Sequence, residues 1–271
     1  MPTTERFSQD EEEQIVERTS PPGEVVYHAV YREGEHELQR TTAELAMSGL
    51  AAGLSMGFSM MTEGVLQACL PAAPWRPLIT KLGYSIGFVI VILGRQQLFT
   101  KNTLTVILPL LRKKKLSLLG NVGRLWAVVL VTNLLGAFVF AWFMARSNTF
   151  DPNVRSAFFE LGDAAMHKSF TTLLLGGIVA GWLIALMVWL LPFAEAARIW
   201  VVIILSYVIG VGYLPHVIAG SVEAFYLVVD GALPFWVCIG GYVIPVLIGN
   251  VIGGVALVAI GAHTEFIEAS E

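Results

Sequence analysis

Charge is scarce in this chain: Asp, Glu, Lys and Arg together make up 14% of its 271 residues, against 55% hydrophobic residues. With a mean hydropathy of +0.68, so few solvated side chains cannot coat a water-soluble body of that length, and lipid is the solvent for most of it. Cysteine is almost missing too. Cys69 and Cys238 both lie inside apolar runs, which leaves neither a disulfide framework nor a thiolate metal site, and no sign of redox chemistry or a cofactor. Basic clusters are limited to Arg112-Lys113-Lys114-Lys115, which abuts an apolar run, so nucleic acid is not an expected partner. A basic start followed by an apolar core is absent from the first residues, which excludes a secretory signal or a transit peptide as their reading.

What charge there is falls unevenly. The first 40 residues hold ten acidic and four basic side chains, Asp10-Glu11-Glu12-Glu13 among them, and the other 231 hold eleven and thirteen. Residues 1–40 are therefore expected to be an acidic segment in the aqueous phase, solvated and partly helical or disordered.

Apolar runs of about 20 residues, the length that crosses a bilayer, occur near Ala43 to Leu70, Leu118 to Ala145, Phe170 to Pro192 and Phe235 to Ala262. Two further stretches, Ile79 to Leu111 and Ile199 to Val229, are long enough to cross but are interrupted, the first by residues 95–102 and the second by residues 210–216. Irregular backbone at membrane depth survives only where protein buries it or where it lines a watery cavity, so the two interruptions point to a pathway. The chain also repeats itself. Gly49-Leu50-Ala51-Ala52-Gly53 matches Gly177-Ile178-Val179-Ala180-Gly181, and Asn133-Leu134-Leu135-Gly136-Ala137 matches Asn250-Val251-Ile252-Gly253-Gly254. From Thr100 to Asn133 is 33 residues and from His216 to Asn250 is 34. Two halves of three spans, about 41–146 and 168–264, must insert with opposite orientation, with the broken second and fifth helices meeting near the midplane. The expected fold class is an all-α membrane protein of six transmembrane helices, with a channel domain over 41–264 and a tail over 265–271. Arg112 to Lys115 and Arg198 place the loops after spans two and four, and both termini, in the cytoplasm. Arg76, Lys81, Arg146, Arg155 and Lys168 fall on or near the other side, where a basic patch would concentrate an anionic ligand.

Leu98-Phe99-Thr100 in the first break, His216 in the second and Gly249-Asn250-Val251-Ile252-Gly253-Gly254 in the last span resemble the formate/nitrite transporter family over roughly residues 40–262. The resemblance implies an aquaporin-like inverted repeat in the bacterial inner membrane, a homo-pentamer with one pore per subunit, and passage of a small monovalent anion such as formate or nitrite. It assigns the central pore histidine to His216, the loop facing it to Leu98, Phe99 and Thr100, the apolar constriction to Tyr84 and Phe88, and the vestibule lysine to Lys168. The sequence departs from the family pattern at Gly220 and Gly181, where asparagines are usual, at Pro215 before the histidine, and at Arg95 and Lys101 flanking the triplet. It looks like a divergent branch.

His216 is an ionisable side chain placed inside a span, which by itself marks a pathway, although a neutral packing histidine is the plain alternative. An anion stripped of water at a constriction can cross as its neutral acid after taking a proton, or as the anion held by His216, the Thr100 hydroxyl and half-helix N-termini. Phe99, Phe88 and Tyr84 are the candidate gates. Asn133 and Asn250 are read as structural amides that tie the breaks to neighbouring helices. Arg95 and Lys101 are expected to be satisfied by backbone carbonyls, by Glu63 or Glu223, or at the cytoplasmic surface. Two other functions share part of this pattern. Gly53-Leu54-Ser55-Met56-Gly57 spells the nucleophile motif of a serine hydrolase, but it falls within an uninterrupted span rather than at a turn. A channel for a neutral solute would share the six-span repeat, yet the paired Asn-Pro-Ala signature is absent and Asp151-Pro152-Asn153 lies in a polar connection.

Overall fold

The structure is a computed structural model that describes residues 22–115 and 117–268, with Ser8 and Glu11, and side chains as far as Leu257. Among the described residues it is helical throughout, without strands. Helix α1 (Gly23–Gln39) precedes the first span, α2 (Thr42–Cys69); α3 (Arg76–Leu93) and α4 (Phe99–Thr105) form the second, followed by the short α5 (Ile107–Lys113); α6 (Ser117–Arg146) is the third. Helix α7 (Pro152–Met166) joins the halves. Helix α8 (Phe170–Leu190) is the fourth span, α9 (Arg198–Val211) and α10 (Ala219–Asp230) the fifth, and α11 (Phe235–Cys238) with α12 (Ile244–Glu268) the sixth, joined by a π-helical turn over Ile239–Val243. Five of the spans are long and apolar enough to cross as single helices. The remaining crossing is shared between α9 and α10.

The repeat is visible in how each half begins, bends and packs. Thr41 and Ser169 each stand eight residues ahead of the first glycine of the repeated Gly-x-x-Ala-Gly, and each caps its span by accepting a backbone N–H, from Glu44 and Thr172 respectively. Both broken spans stop in the same way. Helix α3 ends at Gly94, Arg95 takes a left-handed φ of 51°, and Gln96 N donates back to Val91 O at 2.9 Å. Helix α9 ends at Gly212, Tyr213 takes a φ of 49°, and Leu214 N donates to Ile209 O at 3.0 Å. This is the reverse turn that usually needs glycine; here a non-glycine residue holds it in both halves at a cost of about 1 to 2 kcal/mol each. The first helix of each half then packs on the last: α2 on α6, and α8 on α12. At the crossings a Cβ on Gly53 would run into the Asn133 carbonyl and one on Gly181 into the Asn250 carbonyl, so glycine sets both approaches.

Three expectations differ from the structure. The first interruption is confined to residues 94–98; Thr100, Lys101 and Asn102 belong to α4, buried with their polar groups satisfied, so their polarity reflects a polar interior and not loss of helix. Residues 23–39 are not simply solvated: Tyr27, Val30, Gly34 and Leu38 are buried, and Gly34 lets α1 lie directly on the Thr105 carbonyl. Asp151-Pro152-Asn153 is not a loop interior, because Pro152 opens α7 from its first turn. The remaining acidic residues of the N-terminal segment, apart from Glu11, lie outside the described residues up to Pro22, as does the tail beyond Glu268.

Candidate functional site

The two breaks meet. Thr100, in the first turn of α4, and His216, in the stretch leading to α10, bring Oγ1 and Nε2 to 2.7 Å, and both side chains are buried. The tautomer follows from the other ring nitrogen. Nδ1 accepts the backbone N–H groups of Ile218 at 3.3 Å and Ala219 at 3.2 Å, so the ring proton sits on Nε2 and is donated to Thr100 Oγ1. The threonine hydroxyl proton is thereby left to point elsewhere. Phe88 meets the His216 ring edge-on with centroids 5.0 Å apart, and Tyr84 meets Phe88 at 5.4 Å. The Phe99 ring turns instead to Trp126 on α6, at 5.9 Å, and Leu98 is fully buried.

Each break is held by one asparagine with the same three contacts. Asn133 Oδ1 accepts from Phe99 N at 2.9 Å, while its Nδ2 donates to Gly49 O at 2.7 Å and Gln97 O at 2.8 Å. Asn250 Oδ1 accepts from Val217 N at 2.8 Å, while its Nδ2 donates to Gly177 O at 2.8 Å and Pro215 O at 3.1 Å. A carboxamide presents both donor and acceptor from one planar group, which is what an interrupted helix next to an intact one requires.

A cavity on the α7 side leads to this meeting point. Lys168, Lys81, Tyr84, Glu223, Tyr213 and Tyr242 line it, with His216 at its end. Lys168 lies half-buried just ahead of α8; its ammonium donates to Tyr213 O and lies 5.7 Å from the Tyr213 ring. Burial pushes its pKa below the ordinary lysine value, Glu223 opposes that shift, and Lys81 adds to it. The expected basic patch is smaller than its residue count. Arg146 is tied to Val229 O, Arg155 to Ala145 O, and Lys81 to the fully buried Glu63. Lys81 was expected near this side as part of the basic patch, whereas Glu63, Glu223 and Tyr242 escaped sequence reasoning as members of this site. The signal was present, since Glu63, Lys81 and Glu223 are charges inside apolar helices, but it named no common cavity.

On the opposite, α1 side, a second cavity is lined by Arg32, Glu33, His36, Glu37, Arg95 and Arg198, among others. Lys101 pairs there with Glu33 at 2.7 Å and Glu37 at 3.7 Å, both on α1, which rules out Glu63 and Glu223, one of the three alternatives expected for it; Arg95 is exposed. Glu37 also accepts from Gln97 Nε2 at 2.6 Å, so α1 is joined to the first break. The Gly53 to Gly57 motif lies within the uninterrupted α2, with Gly57 packed on Phe140 and Gly53 on Asn133, which is helix contact and not a nucleophile turn.

An inverted repeat of three-span halves, whose two broken helices face each other across a threonine and a histidine, defines a polytopic membrane protein of the channel and secondary-transporter class. The sequence profile described as formate/nitrite transporter matches residues 24–264, and the chain belongs to that family. It is 40% identical over 240 residues to the inner membrane protein YfdC of Escherichia coli (strain K12), covering 89% of this chain and 77% of that one. It is 25% identical over 246 residues to the formate channel BtFdhC of Bacillus thuringiensis, covering 87% and 92%. Among solved structures it superposes on a pentameric formate channel with formate bound, with a TM-score of 0.73, 21% identity, and 83% and 98% coverage. It also superposes on an FNT family ion channel with a TM-score of 0.74, 18% identity, and 90% and 98% coverage.

Proposed function

We propose that this protein carries small monovalent anions of weak acids, of the formate and nitrite type, across the bacterial inner membrane through a passage that narrows at Tyr84, Phe88, Thr100 and His216. Lys168 draws the anion into the cavity on the α7 side, and Leu98 and Phe99 shape the backbone that presents Thr100. The observation that carries this reading is the contact between Thr100 Oγ1 and His216 Nε2 at the end of a cavity that also holds Lys168. With the ring proton already given to Thr100, the free donor at the narrowest point is the threonine O–H, which suits a small acceptor that has shed its water. Family membership and the formate channels among its relatives support the same substrate class. The working unit is a homo-oligomer, a pentamer by likeness to the solved formate channel. Arg112 to Lys115 and Arg198 set both termini in the cytoplasm.

The test is uptake of formate, nitrite, acetate and glycerol by liposomes holding the full chain, with current and internal pH recorded together. Flux of at least one of the small anions, lost or altered in pH dependence on replacing His216 by an apolar residue, is the expected result. Glycerol flux without anion flux, or His216→Leu behaving as the parent, would overturn it.

A further inference from the structure

The α7-side cavity contains more carboxylate than an anion pathway needs. Lys81 is buried on α3 and committed to Glu63 on α2, and Lys168 is committed to the Tyr213 carbonyl. Glu223 on α10 lines the same cavity as His216, seven residues further along the chain, and among the described residues no ion pair or side-chain hydrogen bond holds it. Other groups face it from every side. Glu63 and Lys81 come from α2 and α3, Tyr84 from α3, Lys168 and Tyr213 from the connections, and Tyr242 from the last span. From α7 only Leu161, Ala164 and Ala165 reach the cavity, and Arg155 and Arg146 are held elsewhere by Ala145 O and Val229 O. The two lysines and the two glutamates balance, so the cavity is not a positive funnel. An anion heading for His216 passes a carboxyl that lies in the field of Lys81 and Lys168 but, among the described residues, pairs directly with neither.

We infer that Glu223 is the proton-carrying group of the passage, one that lets an anion reach His216 only together with a proton. This rests on the anion-carrying reading above. In the carboxylate form, a passing anion within about 6 Å meets a like charge that disfavours it by a factor on the order of a hundred at the effective dielectric of a protein. In the acid form, Glu223 donates a hydrogen bond to the anion, and the proton moves along it: the Glu223 O–H bond breaks, an O–H bond forms on the incoming anion, and the glutamate keeps the electron pair as carboxylate. The neutral acid passes Phe88, the Thr100 and His216 pair, and loses the proton to water on the far side. Water-borne protons of the vestibule then restore the Glu223 acid. One proton accompanies each anion, and neither His216 nor Lys168 has to change its protonation.

The experiment compares the full-length protein with Glu223→Gln and Glu223→Asp in liposomes, with sodium formate as the probe, and measures formate entry, membrane current and internal acidification at several external pH values. Gel filtration and melting in detergent report whether each variant is folded. The parent is expected to acidify the interior in step with formate and to carry little current. Glu223→Gln, an uncharged shape mimic that hands over no proton, is expected to lose acidification, to gain anion current by about tenfold to a hundredfold, and to flatten the pH profile. Glu223→Asp is expected to restore the coupling. A folded Glu223→Gln with the parent's acidification, current and pH profile overturns this inference and leaves the anion-carrying function intact. If Glu223→Gln does not fold, the same decision rests on Glu223→Asp, which is expected to keep the coupling and, with its carboxyl withdrawn by one methylene, to shift the pH profile; an unchanged profile overturns the proposal. A parent that moves no small anion overturns the function itself.

Discussion

Replacing Asn250 by Ala is the sharpest perturbation the fold offers, because one buried carboxamide makes two bonds with the second break and a third with the helix beside it. Of the three partners, Gly177 O lies within an unbroken helix and keeps its own turn's bond, so it loses only a second donor. Val217 N and Pro215 O belong to the break and have no helical partner to return to. Each buried backbone group left unsatisfied costs about 1 to 3 kcal/mol, so the two together predict a loss of about 2 to 6 kcal/mol. The lower end is favoured, since interhelical bonds measured in bilayers average nearer 0.6 kcal/mol. Because Val217 is the neighbour of His216, the loss should loosen the histidine as well. Unfolding by SDS in mixed micelles reads the stability, and formate uptake reads the site. Asn133→Ala, with the matching pair Phe99 N and Gln97 O exposed to the same fate, should fall in the same range. A change under about 0.5 kcal/mol for Asn250→Ala, the size of an ordinary surface substitution, with uptake intact, would refute the claim that the carboxamide holds the break.

Further outcomes follow from the buried groups. Lys81→Met leaves Glu63 as an uncompensated buried charge and should cost about 3 to 5 kcal/mol, read by the same SDS titration, whereas adding Glu63→Gln should recover most of it. Lys168 carries the charge that attracts the anion below its pKa and loses it as pH rises through that value. Since burial sets that value lower than for a free lysine, formate uptake should decline at a less alkaline pH than an exposed lysine would give, and Lys168→Met should remove that limb of the profile. Gly220→Ala would drive a methyl group into the Tyr242 hydroxyl and, at 2.5 Å, its ring carbon Cζ, an overpacking that costs about 1 to 3 kcal/mol, which the shorter side chain of Tyr242→Leu should relieve in a melting experiment and Tyr242→Phe only in part.

The architecture was legible because it is written twice. Glycines and asparagines in the same order, with an interruption between them, locate three-span halves without any knowledge of contacts, and the same logic pairs Thr100 with His216. Register inside a break was not legible. Thr100, Lys101 and Asn102 read as loop because polarity at membrane depth is rare, yet Asn102 donates to Gln97 Oε1 and Lys101 meets carboxylates from α1, which satisfies them within a helix. Partners across long separations were equally hidden. Nothing in the spacing joins Lys101 to Glu33 and Glu37 rather than to Glu63, because only the lie of α1 over Gly34 brings the first pair together. Glu63 and Lys81 each stood out as a charge in an apolar helix, but their pairing depends on the α2 and α3 crossing, which composition does not set. The dipeptide Asp151-Pro152 reads as a turn and as a helix start equally well.

The extra residue in the π-helical turn at Ile239–Val243 separates two jobs that a uniform helix would lock together. Within it, Tyr242 has to fill the room beside Gly220; downstream, Asn250 has to face three fixed partners. In a regular α-helix the angle between those two side chains is dictated by their eight-residue separation, and rotating one would spoil the other. A bulge of one residue absorbs the difference. The wall of the vestibule can thus be recut for a different guest while the clamp on the histidine loop stays where it is.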